Sequence, residues 1–390
     1  MSDTVQTGAS AGRRSPLHEV HAALGASFTD FAGWEMPVRY ASDLVEHHAV
    51  RTKAGLFDLS HMGEIVVVGP EAGAALDYAL AGKLSAIALG QAKYTLLLAR
   101  DGGVIDDLVV YRTGEDRFMV VANAGNREVA VAELLERTAP FDVEVFDQSD
   151  DVALIALQGP DALEVLLETP GFGIQGPGND HDDFADAMRD LKYYRAVAAE
   201  YEGEPVLVAR TGYTGEDGFE LYVAPERAAG LWRNLAETGG PRVVPCGLAS
   251  RDTLRLEAGM PLYGHELGLD THPVQAGLGR VVALTKEGDF VGRAGIERGP
   301  RADAPVLVGL RAEGRRAARA GYAVHAGTAD DAPDIGVVTS GVLSPTLGHP
   351  IAMAFVHPDH AEPGTVLAVD VRGTRIEASV VPLPFYRRGA

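Results

Sequence analysis

The sequence predicts an α+β protein of two or three domains that ends in a small all-β unit. Three observations carry this expectation. The 390 residues exceed a single domain of roughly 100 to 200 residues. With 46% hydrophobic, 23% charged and 7% aromatic residues, the composition is that of a globular chain able to bury real cores. Strand and helix patterns interleave as far as Gly259, whereas beyond Pro305 only short strands remain.

In chain order, residues 1–15 are polar and read as an N-terminal tail. Pro16 to Gly25 and Ser42 to Gly55 carry helical patterning, separated by the aromatic-rich loop Phe31 to Pro37. Glu64 to Val68 reads as a strand, Pro70 to Ala81 as a helix, and Lys93 to Ala99 with Val104 to Arg112 as a hairpin. Arg117 to Ala122 is a strand, Asn126 to Thr138 a helix with Asn126 placed to cap it, and Val143 to Phe146 a strand. That order is a ferredoxin-like unit with an added strand. Strands Val152 to Leu157, Pro205 to Ala209 and Phe219 to Val223 then mix with helices Pro160 to Leu167, Pro225 to Glu237 and Gly247 to Ala258. The acidic stretch Gly171 to Asp190 reads as a surface insertion with one helical turn. After Ile296 to Pro305, five short strands fit a barrel or sandwich: Val306 to Arg311, Ile335 to Thr339, Ile351 to Val356, Val366 to Val371 and Arg375 to Val380.

Charge and cysteine usage narrow the function classes. The 34 basic residues against 55 acidic ones leave a formal charge of −21, a field that repels nucleic acid and anionic lipid. A single cysteine, Cys246, excludes an intrachain disulfide and a multi-thiolate metal site, and suits a reducing compartment. No stretch approaches the ~18 apolar residues of a bilayer span, so a cytoplasmic protein is expected. Gly171 to Gly176 matches GxGxxG, but it follows a helix end and runs into Pro177-Gly178, the wrong setting for a dinucleotide loop. His18 and His21, and the histidines of Glu46-His47-His48, lack metalloprotease spacing and read as surface histidines.

Three segments can carry chemistry. If Gly102-Gly103 is a two-residue hairpin turn, Tyr94 opposes Tyr111 and Leu98 opposes Asp107. Strand alternation then puts Asp107, Val109 and Tyr111 on one face and Asp106, Leu108 and Val110 on the other, so Asp106→Asn should cost far less than Asp107→Asn. One carboxylate among two phenols suits a flat polar heteroaromatic ligand; a strand-edge cap is the alternative. The Gly-rich run Arg210 to Glu220 allows close backbone approach, and Glu220 can accept two parallel N–H bonds, as a pterin or guanine edge offers; an acidic turn is the bland alternative. In the helix Gly247 to Ala258, Arg251 and Arg255 share a face at i,i+4 and could clamp an anionic tail or hold domains together.

Together with Phe31 to Pro37, Phe57 to Glu64, Asn123 to Asn126, Gln158 to Pro160, Thr339 to Gly348 and Phe385 to Arg387, these segments make the chain resemble, from about residue 16 onward, the aminomethyltransferase (T-protein) family of the glycine cleavage system. The resemblance implies a three-domain cloverleaf. Residues 16–60 with 148–260 would form a discontinuous folate-binding domain, 61–147 a ferredoxin-like domain, 261–304 a connecting segment and 305–390 a C-terminal β-barrel. It also implies transfer of the methylene carbon from S-aminomethyldihydrolipoyl H-protein to tetrahydrofolate, giving ammonia and 5,10-methylenetetrahydrofolate, with no metal. Carried over by position, Asp107 is the catalytic residue, and Tyr94, Tyr111, Asn123, Tyr193, Tyr213, Glu220, Arg251 and Arg387 contact the folate. The acidic insertion around Asn179 to Asp186 departs from the family pattern. Two other relatives share the expected fold: a folate-dependent demethylase of N- or S-methyl compounds, and a non-catalytic iron–sulfur assembly factor. The latter would need a cysteine motif where this chain has Arg210 to Glu216.

Overall fold

A computed structural model describes residues 12–175 and 181–389. Its first large element is a seven-stranded sheet ordered Phe172–Ile174, Ala196–Tyr201, Glu204–Ala209, Gly218–Val223, Ala153–Gln158, Ala54–Asp58 and Val243–Pro245, antiparallel but for the last pair. Every residue of Ala153–Gln158 is buried, and alternation divides them between two cores. Ile155 and Leu157 pack with Leu166, Phe184 and Trp232 from the helices on one side. Leu154 and Ala156 pack with Val66, Tyr111 and Val121 of a second sheet on the other.

That second sheet has five antiparallel strands, ordered Ala92–Leu98, Val104–Gly114, Arg117–Ala122, Gly63–Val68 and Glu144–Asp147. Helices Ala72–Ala79 and Arg127–Thr138 cover its outer face over Ile65, Leu108, Phe118 and Val120. The C-terminal strands close a six-stranded barrel ordered Val306–Ala312, Pro350–Val356, Asp334–Leu343, Ala323–His325, Val366–Asp370 and Arg375–Val381. The α+β, multi-domain class with a terminal barrel is therefore as predicted. Among the described residues no helix is long and apolar enough to cross a membrane.

Several local expectations are corrected. Of the tail, residues 1–11 lie outside the described residues, but Arg13 bridges the backbone of Gly33 and Glu35 and Ser15 donates to Asp58 at 2.5 Å. The segment Phe31 to Pro37 is not a loop but the tip and return strand of a hairpin, Ser27–Phe31 with Trp34–Arg39. In the acidic insertion, residues 181–190 form a full helix that lays Phe184 on Phe172; Asn179 and the Gly176 of the GxGxxG match lie outside the described residues. His18, His21 and His47 are buried rather than surface histidines, whereas His48 is exposed as expected; the neighbouring Glu46 is buried too. His21 bridges Asp58 (2.9 Å) and the Tyr40 hydroxyl (2.8 Å), and Glu46 accepts from the backbone of Tyr40 and Gly247.

The N-terminal helix Asp43–Thr52, the helix Leu248–Glu257, the barrel and the C-terminal end meet at one buried ionic cluster. Arg51 donates to Glu257 (2.8 Å) and Glu216 (3.0 Å) and lies over the Tyr386 ring at 4.0 Å. Tyr386 donates to Glu216, and Ser344 and Thr346 of the barrel donate to Glu257. Burial alone would raise the Glu257 carboxyl, but His47, Ser344 and Arg51 hold it down to about 2.

Candidate functional site

Between the two sheets lies a cavity of about 480 Å³, within the range of small-molecule sites. Its walls come from the five-stranded sheet (Tyr94, Asp107, Val109, Tyr111, Val121), the run after Arg210 (Thr211, Gly212, Tyr213, Glu220) and the helix Leu248–Glu257 (Arg251, Asp252, Arg255). The hairpin tip Phe31-Ala32 and the segment Leu59, His61, Met62 close it elsewhere.

The hairpin that carries Asp107 differs in register from the expectation. Tyr94 pairs with Val109 and Leu96 with Asp107, so Tyr94 does not oppose Tyr111. The turn is a three-residue loop, Arg100-Asp101-Gly102, closed by the Ala99 N–H on the Gly103 carbonyl at 2.8 Å, with Gly102 at φ +98°. Gly103 is glycine for another reason: a Cβ there would sit 1.9 Å from the Leu269 carbonyl oxygen. Because the shift is two residues, side-chain alternation is preserved. Asp107, Val109, Tyr111 and Tyr94 face the cavity, while Leu108 and Val110 face the outer core.

Each Asp107 oxygen accepts one hydrogen bond, Oδ2 from the Tyr94 hydroxyl at 2.9 Å and Oδ1 from Asn123 Nδ2 at 2.9 Å. Burial raises its pKa, and those two bonds oppose the rise. Asp106 is not the bystander its strand face suggested. Its carboxylate accepts from the Asn123 backbone N–H, from Asn123 Nδ2 (2.8 Å) and from Asn126 Nδ2 (2.7 Å). The Asn126 side chain is thereby committed to Asp106 and does not cap its helix. Burial pushes Asp106 up to about 7, with the Asn123 and Asn126 bonds opposing and the Asp107 charge adding.

Glu220 Oε2 accepts from Thr211 (2.5 Å) and Tyr111 (3.3 Å). Among the described residues no donor to Oε1 is found, and Glu220 lines the cavity. Gln158 shapes the loop before it, its Nε2 donating to the Thr211 carbonyl while Thr214 donates to its Oε1. A Cβ on Gly212 would fall 1.9 Å from that Oε1, which is why the motif has glycine there. Arg251 lies over the Tyr213 ring at 4.8 Å and its charge faces the cavity. Its helix partner Arg255 is instead consumed by structure, donating to Glu266 (3.0 Å), Asp252 (2.8 Å) and Ser340 (2.7 Å).

Thus Tyr94, Asp107, Tyr111, Asn123, Tyr213, Glu220 and Arg251 are brought together on one cavity. Tyr193 and Arg387 are not. Tyr193 is 53% exposed and Arg387 exposed, and the adjacent Tyr194 takes the lining position, turned inward by a positive φ of 60°. His61 and Tyr194 were missed as site residues. Nothing in the spacing marks Tyr194 over its neighbour, whereas His61 lies inside the segment Phe57 to Glu64 that carries the family resemblance. Among the described residues no group of three or more His, Cys, Asp or Glu side chains is placed to share a metal ion.

The chain matches the family model for the GCVT N-terminal domain over residues 17–286 and that for the glycine cleavage T-protein C-terminal barrel domain over residues 306–387. It is 61% identical to an aminomethyltransferase of Cutibacterium acnes over 96% of this chain and 99% of that protein. To an aminomethyltransferase of Saccharopolyspora erythraea it is 55% identical, over 98% and 100%. The crystal structure of glycine cleavage system aminomethyltransferase T from Bartonella henselae superposes with a TM-score of 0.85 at 37% identity, covering 96% of this chain and 98% of that one.

Proposed function

This chain belongs to the glycine cleavage T-protein family of aminomethyltransferases, and from that premise we propose how its cavity residues divide the reaction between them. The enzyme transfers the methylene carbon from an S-aminomethyldihydrolipoyl group to tetrahydrofolate and releases ammonia. The partner that brings the lipoyl arm is the H-protein, and the folate is a co-substrate. A single unpaired cysteine suits a reducing compartment, and the cytoplasm is the location that goes with this reading.

Asp107 is the catalytic residue. The observation that carries this role is its position: a buried carboxylate inside the cavity, with one hydrogen bond on each oxygen and the remaining lone pairs free for substrate. A fixed carboxylate stabilises positive charge as it develops on the methylene carbon and costs no reorganisation at that moment. Burial, by raising its pKa, also makes it a better acceptor for a folate N–H proton. Asn123, tied to Asp106, sets the carboxylate's rotation. Glu220 Oε1 accepts N–H donors of the pterin, and Tyr94, Tyr111, Tyr213 and Tyr194 supply the flat walls. Arg251 attracts the anionic end of the folate, or the charge that develops on departing sulfur. Tyr193 and Arg387 lie outside the lining and act on the folate only where it projects from the cavity.

The test is direct. Purified protein is mixed with aminomethyl-loaded H-protein and tetrahydrofolate, and ammonia and methylenetetrahydrofolate are measured. Equimolar formation of both is the expected result. Absence of ammonia with loaded H-protein, beside turnover of a methylated small donor, overturns the assignment.

A further inference from the structure

His61 lies between the strands Ala54–Asp58 and Gly63–Val68 and lines the cavity. It is 3% exposed, packed edge-on against Phe31 at 5.3 Å between ring centroids, and its Nδ1 is buried without a hydrogen-bond partner among the described residues. An unpaired buried nitrogen costs about 1 to 3 kcal/mol, and such groups are rare enough in native proteins to need a reason. Burial, with the Arg251 charge adding and that of Asp58 opposing, lowers its pKa to about 4. The ring is therefore neutral in the working range, with one nitrogen carrying a proton that can be offered as a hydrogen bond.

The reaction's own accounting supplies the reason. Two C–N bonds form, from the methylene carbon to the two folate nitrogens, while the C–S and C–NH₂ bonds break. Two protons leave the folate nitrogens; one ends on sulfur and one on ammonia. Asp107 holds one proton at a time and, being anionic, suits the nitrogen side, where charge is positive. It repels the sulfur, which departs with the C–S electron pair and needs an N–H donor.

We propose that His61 is a second catalytic residue of the transfer, donating its imidazole N–H to the dihydrolipoyl sulfur as the C–S bond breaks. The ring keeps its proton: its N–H hydrogen-bonds the departing sulfur, and the proton that ends on sulfur is a folate N–H proton taken up by Asp107 and passed on while that carboxyl is neutral, so the ring stays neutral and no outside acid or oxidant is consumed. Arg251, whose charge acts on the same ring, favours the anionic sulfur at the same place. A neutral imidazole can serve as such a donor because its N–H is polarised by the departing anion rather than by a charge of its own.

This inference rests on the aminomethyl-transfer reading, and the experiment separates the two. His61→Ala and His61→Phe are assayed beside wild type with aminomethyl-loaded H-protein, and tetrahydrofolate binding is measured by calorimetry. Wild-type protein that forms no ammonia overturns the transfer itself. With wild type active, both variants should lose ~10² to 10³ in kcat, the range for a positioned acid or base, while their Kd for tetrahydrofolate stays within about twofold. Added imidazole should restore His61→Ala by at least ~10-fold, because the small side chain leaves a hole the size of the ring, and should leave His61→Phe unchanged. Wild-type turnover in His61→Ala overturns the proposal. So does a loss that imidazole does not restore, and so does joint loss of turnover and folate binding, which marks a packing role.

Discussion

Asn123 places one amide nitrogen between two carboxylates, 2.8 Å from Asp106 and 2.9 Å from Asp107. Both partners are acceptors, so the amide has only one workable orientation, and the face-to-face separation of the two aspartates along their strand is bridged by a third residue. Asp107→Asn should lower kcat by ~10² to 10⁴, as for loss of a positioned charge. Asp106→Asn turns an acceptor into a donor facing the Asn123 donor and frees that amide to rotate. It should cost kcat roughly 10- to 100-fold, the scale of a misplaced catalytic group. Steady-state kinetics at saturating folate decides it, and an Asp106→Asn enzyme with unchanged kcat would leave Asp106 as ordinary core.

Acidity should act on stability and activity with opposite signs. Asp106 goes from 3.8 to about 7 on folding, chiefly through burial, so its carboxyl favours the folded state when protonated. That contribution is complete below the unfolded value and is lost as pH rises through the folded one. Asp106→Asn removes the dependence, so the melting temperature of the variant relative to wild type should climb between about pH 4 and pH 7.5. Activity needs the carboxylates ionised, and kcat should fall on the acid side of neutrality, above the ordinary carboxylate range. Paired melting curves that stay parallel across that interval would contradict the assignment.

Glu220→Gln should weaken tetrahydrofolate binding by about 1.5 to 3 kcal/mol, since it removes a charged acceptor and can turn an amide donor toward ligand donors. Thr211 and Tyr111 remain to hold the side chain through one oxygen, so the loss should appear in affinity with little change in unfolding midpoint. Calorimetry that finds unaltered affinity removes Glu220 from the folate site.

Arg51→Met should destabilise the protein by about 3 to 5 kcal/mol, because it strands the buried carboxylates of Glu257 and Glu216 without their cation. The weakest point would be the seam between barrel and core. Urea unfolding should show an earlier transition, and limited proteolysis should release the barrel first. Arg51→Lys, which keeps the charge but not the fork of donors, should fall between.

Much of this molecule is legible in its sequence, and the misses have physical causes. The alternation that puts Asp107 toward the cavity survives a wrong register, because an error of two residues leaves faces unchanged. The strand Ala54–Asp58 is hidden because both its faces are buried, so it shows no period of two and reads as the end of a helix. Ala196–Tyr201 is half alanine, a weak strand former, and is fixed by its neighbours in the sheet. Tyr194 rather than Tyr193 lines the cavity, at a left-handed backbone angle that no side-chain pattern announces. Burial of His21 and His47 follows from partners far away in sequence, Asp58 and Thr346.

The Arg51 cluster also orders events during synthesis. A ribosome releases Arg51 early, its first carboxylate partner much later, and Thr346 and Tyr386 almost at the end of the chain. Until then the guanidinium and both glutamates can stay hydrated, and the seam between barrel and core is unfinished. The last few residues therefore complete the seam: a nascent chain cut short before Tyr386 lacks the ring over Arg51 and the donor to Glu216.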